Sequence, residues 1–363
     1  MTLKYLDAKR LQGVEGDLTS PVLTSGTGGW VEVGRTTLGS TTEPITVSSL
    51  PDKKYYMILT HVLPNSGRAA TTRRLGYNSV DTGNNYSSNR SDNGSNPGNT
   101  NVNRPHSDNV NLGTDSTPQF CVEYCSNISS KEKLAQVLMV LQNSAGAGTA
   151  PQRAESVWKW VNTSNPLNIY EIKREPSESA DWLAGSECVV LGWDDSDTHG
   201  TNFWQELASV DLSGGAADVL DSGTFTAKKY LWVQAFMEID GNTNTISGVI
   251  NFNNDTSSSY ARRRSSNGVS DSTETSHASI DVRGGETKNR FENLFIINNA
   301  SNEKLVIGNG AYAGDVGAGT APDRTEFVAK WSNTANQITS VKWTNGDGGS
   351  YGTSSIIKVW GHD

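Results

Sequence analysis

The sequence predicts an all-β protein: two tandem jelly-roll-like antiparallel β-sandwich domains related by internal duplication. Three observations carry the prediction: a composition poor in charge and rich in turn residues, short apolar runs bounded by those residues, and a long match of the chain with itself. Hydrophobic residues make up 34% and charged residues 19% of the 363, with 36 glycines. Low charge with many Gly, Asn, Ser and Thr fits strands and turns better than helices.

The first domain, 30–197, offers strands at Trp30–Val33, Ile45–Val47, Tyr55–Leu63, Gln119–Tyr124, Leu134–Leu141, Ser156–Trp160, Leu167–Lys173 and Glu187–Trp193. Each is a short apolar or β-branched run between turn residues. The second domain, 203–363, gives a parallel series that includes Tyr230–Ile239, Arg290–Asn298, Glu326–Trp331 and Ser355–Trp360. About eight strands apiece describes a sandwich or jelly roll. Lys131–Gln142 holds good helix formers, yet its counterpart Asn298–Gly308 has no helical pattern, so both are read as strand. Tyr77–Asp115 and Asn253–Thr275 nearly lack large apolar residues and are read as long surface loops.

The self-match is anchored by Gly146-Ala-Gly-Thr-Ala-Pro151, repeated as Gly317-Ala-Gly-Thr-Ala-Pro322. Beyond it Arg153 falls opposite Arg324, Glu155 opposite Glu326, Lys159 opposite Lys330 and Trp160 opposite Trp331. Upstream, Glu132-Lys133-Leu134 matches Glu303-Lys304-Leu305, Tyr86 matches Tyr260 and Lys53-Lys54-Tyr55 matches Lys228-Lys229-Tyr230. Such self-similarity is the signature of a repeated folding unit. The repeated Arg153, Glu155, Trp160, Arg324, Glu326 and Trp331 are structural anchors in this reading: the Arg–Glu pairs share a strand face and the tryptophans plug a core. Residues 1–29 lie outside the match. Their short amphipathic stretch, with Lys4, Tyr5, Leu6, Arg10 and Leu11, is read as an assembly arm, too short to be a stable helix alone.

Catalysis is not indicated. The five histidines do not recur at matched positions, and no Gly-x-Ser-x-Gly, His-Glu-x-x-His or phosphate-loop motif is present. Glu155 and Glu326 are the repeated carboxylates, read as partners of Arg153 and Arg324. No cofactor and no metal is assigned, although Asp194, Asp195 and Asp197 cluster where a hard cation would be welcome. A net charge of −9 argues against nucleic acid. Arg262–Arg264 is read as a turn anchor. No long apolar run spans a membrane, and the N-terminus lacks a signal-peptide layout. Cys121, Cys125 and Cys188 are read as buried thiols.

The opening Lys4-Tyr-Leu-Asp-Ala-Lys-Arg-Leu-Gln-Gly13, with Tyr260-Ala-Arg-Arg-Arg-Ser-Ser-Asn-Gly268, Asn302-Glu-Lys-Leu-Val-Ile307 and Gly317-Ala-Gly-Thr-Ala-Pro322, resembles structural proteins of marine phages and archaeal viruses. That resemblance covers nearly all of the second domain and transfers no catalytic residue. It implies a virion structural protein (capsid, decoration or tail-associated) that self-assembles into a homo-oligomer and resides in the virion after synthesis in the host cytoplasm. The expected partners are copies of itself, other virion proteins and a host surface glycan, with no nucleic acid and no membrane insertion. The alternatives are a glycan- or receptor-binding sandwich module and a cell-surface filament subunit.

Overall fold

A computed structural model of the chain describes residues 29–65, 71–94, 98–104, 117–174, 181–195, 197, 202–240, 245–286, 288–313 and 317–363. The residues read as an assembly arm, Lys4, Tyr5, Leu6, Arg10 and Leu11, lie outside this set. Among the described residues the chain is all-β and sandwich-like, with antiparallel sheets and no helix.

The first twelve strands are β1 (Val31–Thr37), β2 (Ile45–Ser48), β3 (Tyr55–Val62), β4 (Thr71–Tyr77), β5 (Ser79–Val80), β6 (Tyr86–Asp92), β7 (Gly98–Val102), β8 (Gln119–Ser126), β9 (Lys133–Leu141), β10 (Gln152–Trp160), β11 (Ile169–Arg174) and β12 (Glu187–Trp193). The remainder are β13 (Gln205–Asp211), β14 (Val219–Asp221), β15 (Tyr230–Met237), β16 (Ile246–Phe252), β17 (Tyr260–Ser266), β18 (Ser272–His277), β19 (Ile280–Glu286), β20 (Arg290–Ile297), β21 (Lys304–Tyr312), β22 (Asp323–Trp331), β23 (Val341–Thr344) and β24 (Ile356–His362). In the first half an eight-stranded sheet runs β1-β12-β3-β8-β9-β10-β6-β7 beside a four-stranded sheet, β2-β11-β4-β5. The second half runs β13-β24-β15-β20-β21-β22-β17-β18 beside β14-β23-β16-β19.

Side-chain alternation explains the layering. On β15, Leu231, Val233, Ala235 and Met237 enter the core between the second half's two sheets, while Tyr230 and Trp232 face the other way. On β3 both faces are buried: Tyr56 and Ile58 join the first half's core, and Met57 and Leu59 join a separate cluster. That third cluster joins Phe120, Val122, Val140, Val189 and Leu191 of the first half to Tyr230, Phe295, Ile297, Leu305, Ile307 and Val328 of the second. The two eight-stranded sheets therefore pack outer face to outer face, with the four-stranded sheets outermost. Each fully buried Leu, Ile or Phe here contributes about 1.5–3 kcal/mol.

Matching positions make matching bonds. Trp160 Nε1 donates to Asp81 at 2.7 Å, and Trp331 Nε1 to Asp255 at 2.7 Å. Tyr86 Oη accepts Leu75 N at 2.9 Å, as Tyr260 Oη accepts Phe252 N at 3.0 Å. Asn127 Oδ1 accepts Leu167 N at 2.7 Å, as Asn298 Oδ1 accepts Ile338 N at 2.6 Å. Asn93-Gly94 and Asn267-Gly268 both take positive φ, the conformation a tight hairpin turn demands. The Asn93 and Asn267 side chains then accept Arg153 N and Arg324 N at 3.0 and 2.9 Å.

Trp331 stacks on Tyr260, and its indole N–H reaches a carboxylate that burial would raise but that Ser257, Ser259 and Trp331 hold down at about pKa 2. Trp331→Phe is expected to cost about 2 kcal/mol in urea unfolding, since it removes a charge-assisted bond and some packing. A double-mutant cycle with Asp255→Ala should show coupling between the two sites; additive losses would refute the bond's contribution.

Two expectations about loops are corrected. Tyr77–Asp115 contains β6 and β7, and Asn253–Thr275 contains β17 and most of β18. Past Tyr86 and Tyr260-Ala261, β6 and β17 bury polar side chains: Arg90 Nε meets Asp92 at 2.9 Å, and Arg262 pairs with Glu274. A pattern of apolar residues cannot reveal a strand whose inward groups are satisfied by ion pairs.

Candidate functional site

The outer face of the first eight-stranded sheet is only partly covered. Its uncovered end forms an open groove of about 850 Å³, within the size range of ligand and anchor pockets. β3 begins with Tyr55, which lies across the ladder from Trp193 at the end of β12. Their rings stack at 5.4 Å. Trp30 leans on Tyr124 of β8 at 6.4 Å. β9 supplies Leu134 and Gln136, β10 supplies Val157 and Lys159, and β6 supplies Asn89. Leu134, Val157 and Tyr55 are 55%, 50% and 38% exposed. They point outward because the alternate residues, Ala135, Trp158 and Tyr56, already fill the core.

The groove is close to neutral. Lys159 Nζ meets Glu132 at 3.1 Å. At its rim Lys53 pairs with Asp197 and Lys54 with Asp195, with Asp194 at 3.7 Å. The three carboxylates of the cluster read as attractive to a cation are thus met by two lysines. Hydrogen bonding to Asp195 raises the Lys54 pKa. Beneath the groove, burial pushes the Cys125 thiol well above its ordinary pKa, which disfavours the thiolate. All three cysteines are buried free thiols.

The same positions in the second half are covered. Tyr230, Leu305 and Val328, matching Tyr55, Leu134 and Val157, are all buried. Tyr230 Oη donates to Glu187 at 2.8 Å, and Lys229 Nζ meets Glu187 at 2.9 Å. Lys330, matching Lys159, reaches the Gln142 and Ser144 carbonyls at the mouth of the Gly146–Pro151 loop. Gly146 N donates to Glu303, Ala147 O accepts Ser276 N at 2.7 Å, and Pro151 O accepts Arg263 Nε at 3.0 Å. That loop's Ala147, Ala150 and Pro151 are buried, whereas Gly317–Pro322, identical in sequence, is exposed throughout.

The predicted anchors fall into two sets. Trp160 and Trp331 are core residues, as are Trp158 and Trp182. Arg153 pairs with Glu155 and reaches across to Asp271 at 2.7 Å, while Arg324 meets Glu326 at 3.3 Å and stays exposed. None of the six predicted anchors lines the groove, although Trp158 does. Sequence reasoning passed over Tyr55, Leu134, Val157 and Trp193 as site residues. The available signal was that Leu134/Leu305 and Val157/Val328 are matched apolar residues on the strand face away from the core.

Among the described residues no group of His, Cys, Asp and Glu side chains is arranged to hold a metal ion. Among them, no helix is long and apolar enough to cross a membrane, which says nothing of a β-barrel.

No protein-family model matches the chain. No curated protein matches it either. Among solved structures, similarity is found to the attachment invasion locus protein Ail of Yersinia pestis, crystallised with the heparin analogue sucrose octasulfate. The identity is 7%, over 77% of this chain and 99% of that one, with a TM-score of 0.14. Neisserial surface protein A matches at 8% identity over 81% and 99%, TM-score 0.13. The outer membrane protein OprG of Pseudomonas aeruginosa matches at 7% over 85% and 97%, TM-score 0.10. The capsid, phage and virion-location expectations are withdrawn: none of these neighbours is described as a particle component, and two are described as a surface protein and an outer membrane protein. Scores this low do not establish a shared fold, and no function is taken from them.

Proposed function

We propose that the protein is a non-catalytic structural building block that acts by docking protein surfaces onto an aromatic and aliphatic groove. In this reading the chain is a duplicated pair of jelly-roll-like sandwiches, 30–197 and 203–363. Support for the duplication comes from the common strand order of the two halves and their matched Trp–Asp, Tyr–backbone and Asn–backbone bonds. The observation that carries the docking function is that Tyr55, Leu134 and Val157 stand open where Tyr230, Leu305 and Val328 are buried by protein. Exposed aliphatic residues beside stacked aromatics favour a protein partner, since such patches mark interfaces.

Trp30 and Trp193 report occupation of the groove. Their emission is expected to shift to the blue as the full-length protein is concentrated, and Val157→Glu should abolish the shift. Emission that ignores both concentration and the substitution would overturn the reading.

The stacked Tyr55–Trp193 pair favours a second reading, a flat platform for a neutral saccharide. Titration with neutral oligosaccharides separates the two: saturable quenching lost in Trp193→Ala supports the saccharide.

A further inference from the structure

The contact inside the chain is made of a plug and a socket, and each half carries both. The plug of the first half is the Gly146–Pro151 loop with Phe120, whose ring lies 6.3 Å from Tyr230. The socket of the second half is Tyr230, Leu305, Val328 and the Lys330–Glu303 pair. One plug and one socket remain unused. The unused plug is Gly317–Pro322 with Phe291, which is 42% exposed. Phe291 holds the ladder position of Phe120: it lies opposite Phe236 of β15 as Phe120 lies opposite His61 of β3. The unused socket is Tyr55, Leu134, Val157 and the Lys159–Glu132 pair.

We propose that chains associate head to tail, Phe291 and Gly317–Pro322 of one copy seating on the groove of the next. This rests on the docking reading above and names its occupant as a second copy of this chain. The argument is continuity with the internal interface: the plug loop has the same sequence in both halves, and the socket keeps Tyr, Leu, Val, Lys and Glu at matched positions. Charges agree as well. The free socket holds a neutralised Lys159–Glu132 pair, and in the occupied socket the matching lysine turns to the plug's carbonyls.

The contact between chains is weaker than the internal one. Where the first half presents Val122, Val140 and Val189 to its partner, the second half has Asn293, Ala311 and Lys358 at the same ladder positions. Glu187, which receives Tyr230 and Lys229, is matched by Ile356. Less apolar area and a lost charged acceptor make the association reversible and dependent on concentration. Plug and socket are different surfaces, so the contact is heterologous and leaves a free plug and a free socket at the ends of any open chain of copies.

The test is light scattering of the full-length chain over a wide concentration range, with Val157→Glu blocking the socket and Phe291→Glu blocking the plug. Both sites are solvent-exposed, and Leu134→Lys with Ala318→Arg form a second pair should either variant misfold. Wild type is expected to grow through dimers to longer species. Each variant alone should remain a monomer. Mixing the two should give dimers and nothing larger, because each retains one intact surface. If Val157→Glu abolishes association while Phe291→Glu leaves closed dimers, the head-to-tail arrangement is wrong and groove docking stands. A wild type that stays monomeric at every concentration overturns both.

Discussion

Replacing Glu187 with Ala is expected to destabilise the protein by about 3–5 kcal/mol, read as a fall in the urea midpoint with little change in slope. Glu187 lies where the two eight-stranded sheets meet. Its carboxylate receives Arg35 Nη1 at 3.0 Å, Lys229 Nζ at 2.9 Å, Tyr230 Oη at 2.8 Å and the Thr37 hydroxyl. Removal leaves the partly buried Lys229 and the fully buried Tyr230 hydroxyl without this acceptor, while Arg35 keeps Glu32 and Asp363 O, and a stranded charge costs more than the pair itself was worth. Burial alone would raise the Glu187 pKa; Thr37, Lys229 and Tyr230 outweigh it and hold the group at about 2. A carboxylate depressed from 4.5 to about 2 stabilises the fold fully above pH 4.5, and that contribution fades as pH falls toward 2. Wild type should therefore lose stability across that interval more steeply than Glu187→Gln does. Equal slopes would remove Glu187 from the acid response.

Glu123→Ala is expected to be as damaging, at about 3–5 kcal/mol, and to be rescued by a second change. Glu123 and Arg73 are both fully buried, with Arg73 Nε 2.8 Å from Oε2. Tyr170 Oη donates to the same oxygen at 2.8 Å, and Arg73 Nη2 contacts Cys121 Sγ at 2.9 Å. Burial raises the Glu123 pKa against the pull of Arg73. Alanine would leave a guanidinium in an apolar core. Arg73→Met with Glu123→Leu removes both charges at similar volume, so the double variant should recover most of the loss. Denaturant melts of the three variants decide it; a double variant as unstable as Glu123→Ala would mean that packing, not stranded charge, sets the cost.

How much was legible follows from which groups pay their desolvation locally. Strands such as β15 and β24 announce themselves as short apolar and aromatic runs bounded by turn residues. The doubly apolar run Tyr56–Leu59 signals burial on both faces, but nothing local says that the second face meets another sheet. β6 and β17 were hidden because Arg90 and Arg262 enter the interior with acidic partners on the same or the neighbouring strand. The anchors Trp160 and Trp331 were readable as core residues, though their Asp81 and Asp255 acceptors sit far away in sequence. The groove was the least legible feature. Leu134 and Val157 look like ordinary strand residues until Leu305 and Val328 are found covered while they are not.

β3 has one further consequence. With Tyr56 and Ile58 in one interior and Met57 and Leu59 in another, the strand cannot leave either without disturbing both. Its neighbours β8 and β12 are committed in the same way, through Cys121 and Val122 and through Val190 and Val189. Unfolding of one half therefore strips the lining from the seam and exposes the other half's seam face to water. The described halves are expected to melt as one cooperative body rather than as two beads on a string.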